Sequence, residues 1–191
     1  MGDARTDEAL MLAYRDGEAG AFDVLYGRHR APVYRYLLRQ CAGRAQADEV
    51  FQEVWMAVIR ARAGYEVVAK FTTWLYRIAH NKLVDHYRLS GRIGEYEAPM
   101  SEVESGEAIA LPDAAAETPE QVRLRQEVVV RLVEAVDALP LAQREAFLLA
   151  ADGELSVEEI ARATGVPFET AKSRLRYANA RLRQLLVDLR R

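Results

Sequence analysis

Residues 155–186 read LSVEEIARATGVPFETAKSRLRYANARLRQLL. Ser156-Val157-Glu158-Glu159 has the form of a capping box: the serine hydroxyl accepts the amide three positions on, and the glutamate returns to the cap amide. Val157, Ile160 and Ala161 mark an inward helical face. Gly165 supplies a stop in a backbone conformation that glycine adopts at little cost. Pro167 opens a second helix, and its Ala171 and Leu175, four apart, pack back on Ile160. Small Ala161 and Ala171 permit a close crossing. The stretch predicts a helix-turn-helix that runs into a long basic helix.

That packing leaves Phe168, Glu169, Thr170, Lys172, Ser173, Arg174 and Arg176 at the start or on the polar side of the second helix. The N-terminal half of a recognition helix meets base edges in the major groove. Glu169 can accept from a cytosine amino group, and Lys172 and Arg176 can reach guanine O6 and N7 or phosphates. Arg174, Arg181 and Arg183 suit backbone phosphates or solvent. Residues 168–191 carry 7 basic and 2 acidic groups in a chain of net charge -3, so positive charge is focused on one element. The plainer alternative is a structural three-helix domain with a solvated basic face.

The whole chain has 191 residues, half of them apolar, enough for one medium domain or two small ones. Helical periodicity dominates. Leu10, Met11 and Tyr14 recur in 6–17; Phe22, Leu25, Tyr26, Val33, Tyr34, Leu37 and Leu38 in 19–40; Val50, Val54, Ala57 and Val58 in 46–62; and Leu75, Ile78, Ala79 and Leu83 in 71–89. Residues 90–118 break the pattern with three glycines, Pro99 and Pro112, and residues 90–119 carry 1 basic and 7 acidic groups. That composition predicts an extended acidic linker. Helices resume at Thr118-Pro119, an N-cap followed by proline at the first helical position. Leu139-Pro140 ends that helix, and another covers about 141–151 before Asp152-Gly153. The expected fold is all-α: a helical domain over 5–89, an acidic flexible linker over 90–118, and a helix-turn-helix domain over 119–191.

Phe71–Arg88, FTTWLYRIAHNKLVDHYR, interleaves Phe71, Trp74, Tyr76 and Tyr87 with Arg77, His80, Asn81, Lys82, His86 and Arg88. Aromatic rings stack on unpaired bases while Arg and Lys meet phosphates. The preceding ARAGYEVVAK (Ala61–Lys70) reads as a loop that can flank a flipped base. Trp74 as core and Tyr65 as loop packing are the structural alternatives. On a neighbouring helix, Asp48, Glu49, Gln52 and Glu53 form either a solvated face or a docking surface for a basic partner.

Taken together, these motifs resemble the sigma-70 family of RNA polymerase initiation factors, in its compact extracytoplasmic-function (ECF) group. ADEVFQEVW (Ala47–Trp55) is similar to the core-polymerase-binding helix of sigma domain two. FTTWLYRIAHNKLVDHYR is similar to the segment that opens and reads the -10 element. DALPLAQREAFLLA (Asp137–Ala150) and the helix-turn-helix are similar to domain four, which binds the -35 element. The resemblance implies that Asp48, Glu49, Gln52 and Glu53 dock on clamp helices in the largest catalytic subunits of core RNA polymerase. It implies -10 contacts from Tyr65, Lys70, Phe71, Trp74, Arg77, His80, Asn81, Lys82 and Arg88, with His80 standing where the family often has arginine. It implies -35 contacts from Phe168, Glu169, Thr170, Lys172, Ser173 and Arg176. The acidic linker would pass through the active-site cleft and RNA exit channel, the plainer alternative being a tether that only spans the two DNA sites, and an anti-sigma factor is an expected partner.

The rival readings are weaker. A helix-turn-helix regulator with an N-terminal sensor would not need FTTWLYRIAHN or an acidic extended segment. An enzyme would need a nucleophile beside Asp85 and His86, and none pairs with them. His29, His80, His86 and Cys41 lack zinc-site spacing, and no Gly-rich phosphate loop is present, so neither metal nor cofactor is expected. One cysteine, no signal-peptide core and no apolar run near the ~20 residues of a membrane span predict a cytoplasmic protein without membrane insertion.

Overall fold

Phe71, Leu75, Ala79, Leu83 and Tyr87 recur every four residues, and all five are fully buried. Residues four apart lie on one helical face, so this row is the inner edge of a helix about which the N-terminal module assembles. The computed structural model describes residues 3–98 and 119–186. The helices are α1 (Asp7–Arg15), α2 (Ala19–Gln40), α3 (Arg44–Ala61), α4 (Phe71–Leu89), α5 (Ile93–Glu97), α6 (Pro119–Asp137), α7 (Leu141–Ala151), α8 (Val157–Thr164) and α9 (Phe168–Leu185), with a 3-10 turn at Arg62–Gly64. There is no strand among the described residues.

In the N-terminal module α4 packs on α1, α2 and α3. Leu10, Met11, Leu25, Leu37, Val54 and Val58 close the core with the α4 row. Thr6 caps α1 by accepting the Ala9 amide at 3.2 Å. The start of α4 has no cap of its own. Instead the Phe71 amide donates to the Glu8 carboxylate of α1 at 2.7 Å, which satisfies one donor left over at a helix N-terminus.

In the C-terminal module α9 packs on α6, α7 and α8 around Leu149, Ile160, Ala171, Ala178 and Leu182. The capping box forms as the sequence predicts. Ser156 Oγ accepts the Glu159 amide at 3.3 Å, and Glu159 Oε2 accepts the Ser156 amide at 2.9 Å. Gly165 ends α8 with φ 69° and ψ 23°, and a Cβ there would meet nothing within 4 Å. Gly165→Ala therefore carries only the left-handed backbone penalty. It is expected to lower stability by about 1–2 kcal/mol, read as a drop in the denaturant midpoint with an unchanged m-value.

The predicted linker does not begin at residue 90. After α4 the chain turns at Gly91 (φ 73°), and α5 folds back with Tyr96 buried, its ring 5.7 Å from that of Tyr87. A five-residue helix has no stability of its own; burial of Tyr96 holds it. Thr118 and residues 99–118 of the predicted linker lie outside the described residues.

Candidate nucleic-acid interface

The first helical turns of α9 face solvent. Phe168, Glu169, Lys172 and Arg176 are exposed, Thr170 and Ser173 are half-buried, and Ala171 is fully buried against the core. Lys172 Nζ lies 3.6 Å from Glu169 and 5.8 Å over the Phe168 ring, while the Arg176 guanidinium lies 4.9 Å over the Tyr177 ring. Exposed pairs of this kind contribute about 0–1 kcal/mol and exchange readily for a phosphate or a base edge. Arg174 departs from the sequence-based expectation of a phosphate or solvent contact. Its guanidinium donates to Tyr96 Oη at 3.2 Å and covers that ring at 5.4 Å.

A second surface lies where the 65–70 loop meets α4. Glu66, Val68, Ala69, Thr73, Trp74, Arg77 and Arg162 line a cavity of about 240 Å³. Arg15 fixes the loop by donating to the Tyr65 carbonyl at 3.2 Å. Trp74 is half-buried, and Lys70, Arg77, Asn81 and Arg88 are exposed. Lys82 is half-buried and its Nζ lies 3.8 Å from Glu53; Arg88 pairs with Asp85 at 3.1 Å.

Three expected base or phosphate contacts are placed elsewhere. Tyr65 and Phe71 are 2% and 0% exposed, with ring centroids 5.0 Å and 5.7 Å from Trp74, so they support the tryptophan from beneath. Their rings belong to the core, where apolar burial outweighs any surface role. His80 is 8% exposed and turned toward Glu145. Conversely, Val67 and Val68 are 52% and 82% exposed at the loop tip. Two exposed β-branched residues in a loop were the available sequence signal for an apolar contact.

Asp48, Glu49, Gln52 and Glu53 are all exposed along α3, opposite buried Val50, Val54 and Trp55. Tyr34 donates to Asp48 Oδ1 at 2.7 Å, which fixes one end of the acidic face. Exposed Met56 extends that face by one turn.

The two modules meet through α4 on α8, α2 on α7, and α5 on α7. At the centre lies Glu145 of α7, with no solvent exposure. Tyr36 donates to its Oε1 at 2.5 Å, Tyr96 donates to its Oε2 at 2.5 Å, and His80 Nδ1 lies 2.8 Å from Oε1. Burial alone would raise the carboxyl pKa, but the His80 charge and the three hydrogen bonds outweigh it and hold the pKa below the ordinary value. Burial and the Glu145 charge in turn push the Tyr36 and Tyr96 hydroxyls well above their usual range.

Residues 25–93 match the family described as sigma-70 region 2, and residues 130–182 match sigma-70 region 4. The chain is 32% identical to RNA polymerase sigma factor CarQ of Myxococcus xanthus over 179 residues, covering 94% of this chain and 97% of that one. It is also 32% identical to the ECF RNA polymerase sigma factor RpoE of Cereibacter sphaeroides over 183 residues, covering 94% and 95%. Its fold is similar to that of CnrH solved in complex with the cytosolic domain of CnrY, with TM-score 0.66, 22% identity, and 95% and 97% coverage. It is similar in the same way to RpoE of Bartonella quintana solved with the anti-sigma factor NepR, with TM-score 0.62, 21% identity, and 87% and 96% coverage. A basic helix-turn-helix joined to an aromatic cavity and an acidic helix face, over nearly the full length of such relatives, establishes that the chain belongs to the sigma-70 family and to its extracytoplasmic-function group.

Proposed function

We propose that this chain binds core RNA polymerase, directs it to a -35 and a -10 promoter element, and promotes melting between recognition and initiation. The observation that carries this reading is the pairing of two nucleic-acid surfaces of different kinds. The start of α9 offers exposed polar side chains of the types that pair with duplex base edges. The cavity beside Trp74 offers a half-buried aromatic ring to an unstacked base, with Arg77 in its wall and exposed Lys70 nearby in sequence for phosphate. Asp48, Glu49, Gln52 and Glu53 form the polymerase-docking face, with Met56 at its end. Residues 5–89 act as sigma domain two and 119–191 as domain four, with the acidic stretch between them crossing the polymerase cleft.

The chain performs no bond chemistry in this reading and needs neither metal nor cofactor. Capturing an extruded base favours the melted state because the cavity binds that state and not the duplex. The protein works in the cytoplasm, where it meets polymerase, and an anti-sigma factor restrains it. No described helix is long and apolar enough to cross a membrane.

Transcription from a promoter library by core RNA polymerase, with and without this protein, tests the reading. Discrete new start sites sharing spaced -35 and -10 elements are expected. Sequence-specific duplex binding with no core binding and no new transcript would instead make the chain a polymerase-independent regulator.

A further inference from the structure

We infer that the cavity beside Trp74 is also a binding site for a free nucleoside phosphate, held between the two modules by Arg77 of α4 and Arg162 of α8. The site shares its cavity with the proposed capture of a -10 base, but it stands on the geometry of the free protein and does not need core polymerase.

Arg162 reaches this place for local reasons. The capping box fixes the first turn of α8, and residues three apart share a helical face, so Glu159 and Arg162 lie on one side of it. That side meets α4: Glu159 Oε1 pairs with Lys70 at 3.0 Å, and Arg162 forms part of the cavity wall. The approach is close. A Cβ on Gly153 would lie 3.0 Å from the Tyr76 ring of α4. Reading a -35 and a -10 element with separate modules leaves an arginine of the -35 module without a role beside the -10 cavity. A compact ligand held from both sides gives it one.

The wall's chemistry selects an anionic, aromatic ligand. Arg77 and Arg162 are both exposed, and neither has an ion pair or hydrogen bond among the described residues. Two guanidiniums on one wall suit a phosphate, whose oxygens accept from both. Thr73 is only 4% exposed and lines the same cavity, yet its hydroxyl has no hydrogen-bond partner among the described residues. A buried hydroxyl of that kind needs a partner, and a ligand oxygen or ring nitrogen supplies one. Trp74, half-buried against the Tyr65 and Phe71 rings, offers ring surface to a base. Glu66 is the carboxylate among the lining residues, and an exocyclic amino group of a base can donate to it. Two cations against one anion leave the wall net positive, which favours a phosphate.

Calorimetric titration of the full-length chain with the four nucleoside 5′-monophosphates tests the site. One-to-one binding is expected, weakest for the uridine compound, whose base has no amino group. Guanosine and inorganic phosphate, each half of guanosine monophosphate, should bind at least about tenfold more weakly than the whole. Arg162→Ala should weaken binding about ten- to a hundredfold, the scale of a hydrogen bond to a charged group. Trp74→Ala should weaken it about five- to a hundredfold, the scale of base stacking. Arg60→Ala removes the same charge from an exposed position of α3 outside the cavity and should leave affinity unchanged. An unchanged unfolding midpoint for Arg162→Ala separates loss of the site from loss of the fold. No saturable binding, equal binding of inorganic phosphate alone, or equal losses in Arg162→Ala and Arg60→Ala would overturn the site. Retained affinity in Arg162→Ala would overturn its two-module geometry, and tightest binding of the uridine compound would overturn the role of Glu66. If no core-dependent transcript appears, the initiation-factor reading fails, while calorimetry on the free chain still decides this one.

Discussion

Phe71→Ala is expected to destabilise the N-terminal module by about 3–5 kcal/mol, the range for deleting a buried aromatic side chain. Its ring has no exposure and packs against His29 at 5.3 Å and Trp74 at 5.7 Å, and its amide is tied to Glu8. The removed ring leaves a cavity beneath the 65–70 loop, because the α4 row and α1 fix the walls around it. Denaturant unfolding of the full chain measures this directly. Trp74→Ala provides the contrast. That side chain is half-buried and lines the open cavity, so its loss should weaken single-strand capture in the polymerase complex by about 1–3 kcal/mol with a smaller change in stability. If Phe71→Ala kept its unfolding midpoint and lost only promoter melting, the ring would be a stacking platform and its placement in the core would be wrong.

The difference between those two aromatics shows what the sequence could reveal. The segment Phe71–Arg88 advertises rings and cations together, and that composition alone makes each ring a candidate base contact. Periodicity separates them. Phe71 heads the four-residue row that continues through Leu75, Ala79, Leu83 and Tyr87, whereas Trp74 lies off it. Local chemistry was legible at Ser156, Glu159 and Gly165 because a cap and a left-handed stop depend on neighbours within four residues. The role of His80 was not, since its partner lies 65 residues away. Glu145 sits beside Arg144 as one of two charges in a mostly apolar helix, and only the docked modules reveal that it is buried and paired. Helix α5 escaped detection for the same reason. Its five residues look like the start of an acidic linker until Tyr96 has Tyr87 to pack on.

Lys172→Ala with Arg176→Ala is expected to weaken recognition of a -35 duplex by roughly 2–6 kcal/mol, if each side chain contributes the ~1–3 kcal/mol of a good base contact. The pair lies one helical turn apart, so the two effects will not add strictly. Folding should change by no more than about 0.5 kcal/mol, as for other surface substitutions, because both side chains are exposed and their visible partners are Glu169, Phe168 and Tyr177. Salt titration then assigns the contacts. Loss of a phosphate contact weakens all sequences alike and flattens the dependence of log K on log salt by about 0.9 per contact. Loss of a guanine contact relaxes preference at one base pair and leaves that slope nearly unchanged. Because the start of α9 is exposed while the modules are docked, this defect should appear with the free protein as well as with the polymerase complex. Wild-type -35 affinity in the double variant would mean that another face of the C-terminal module enters the groove.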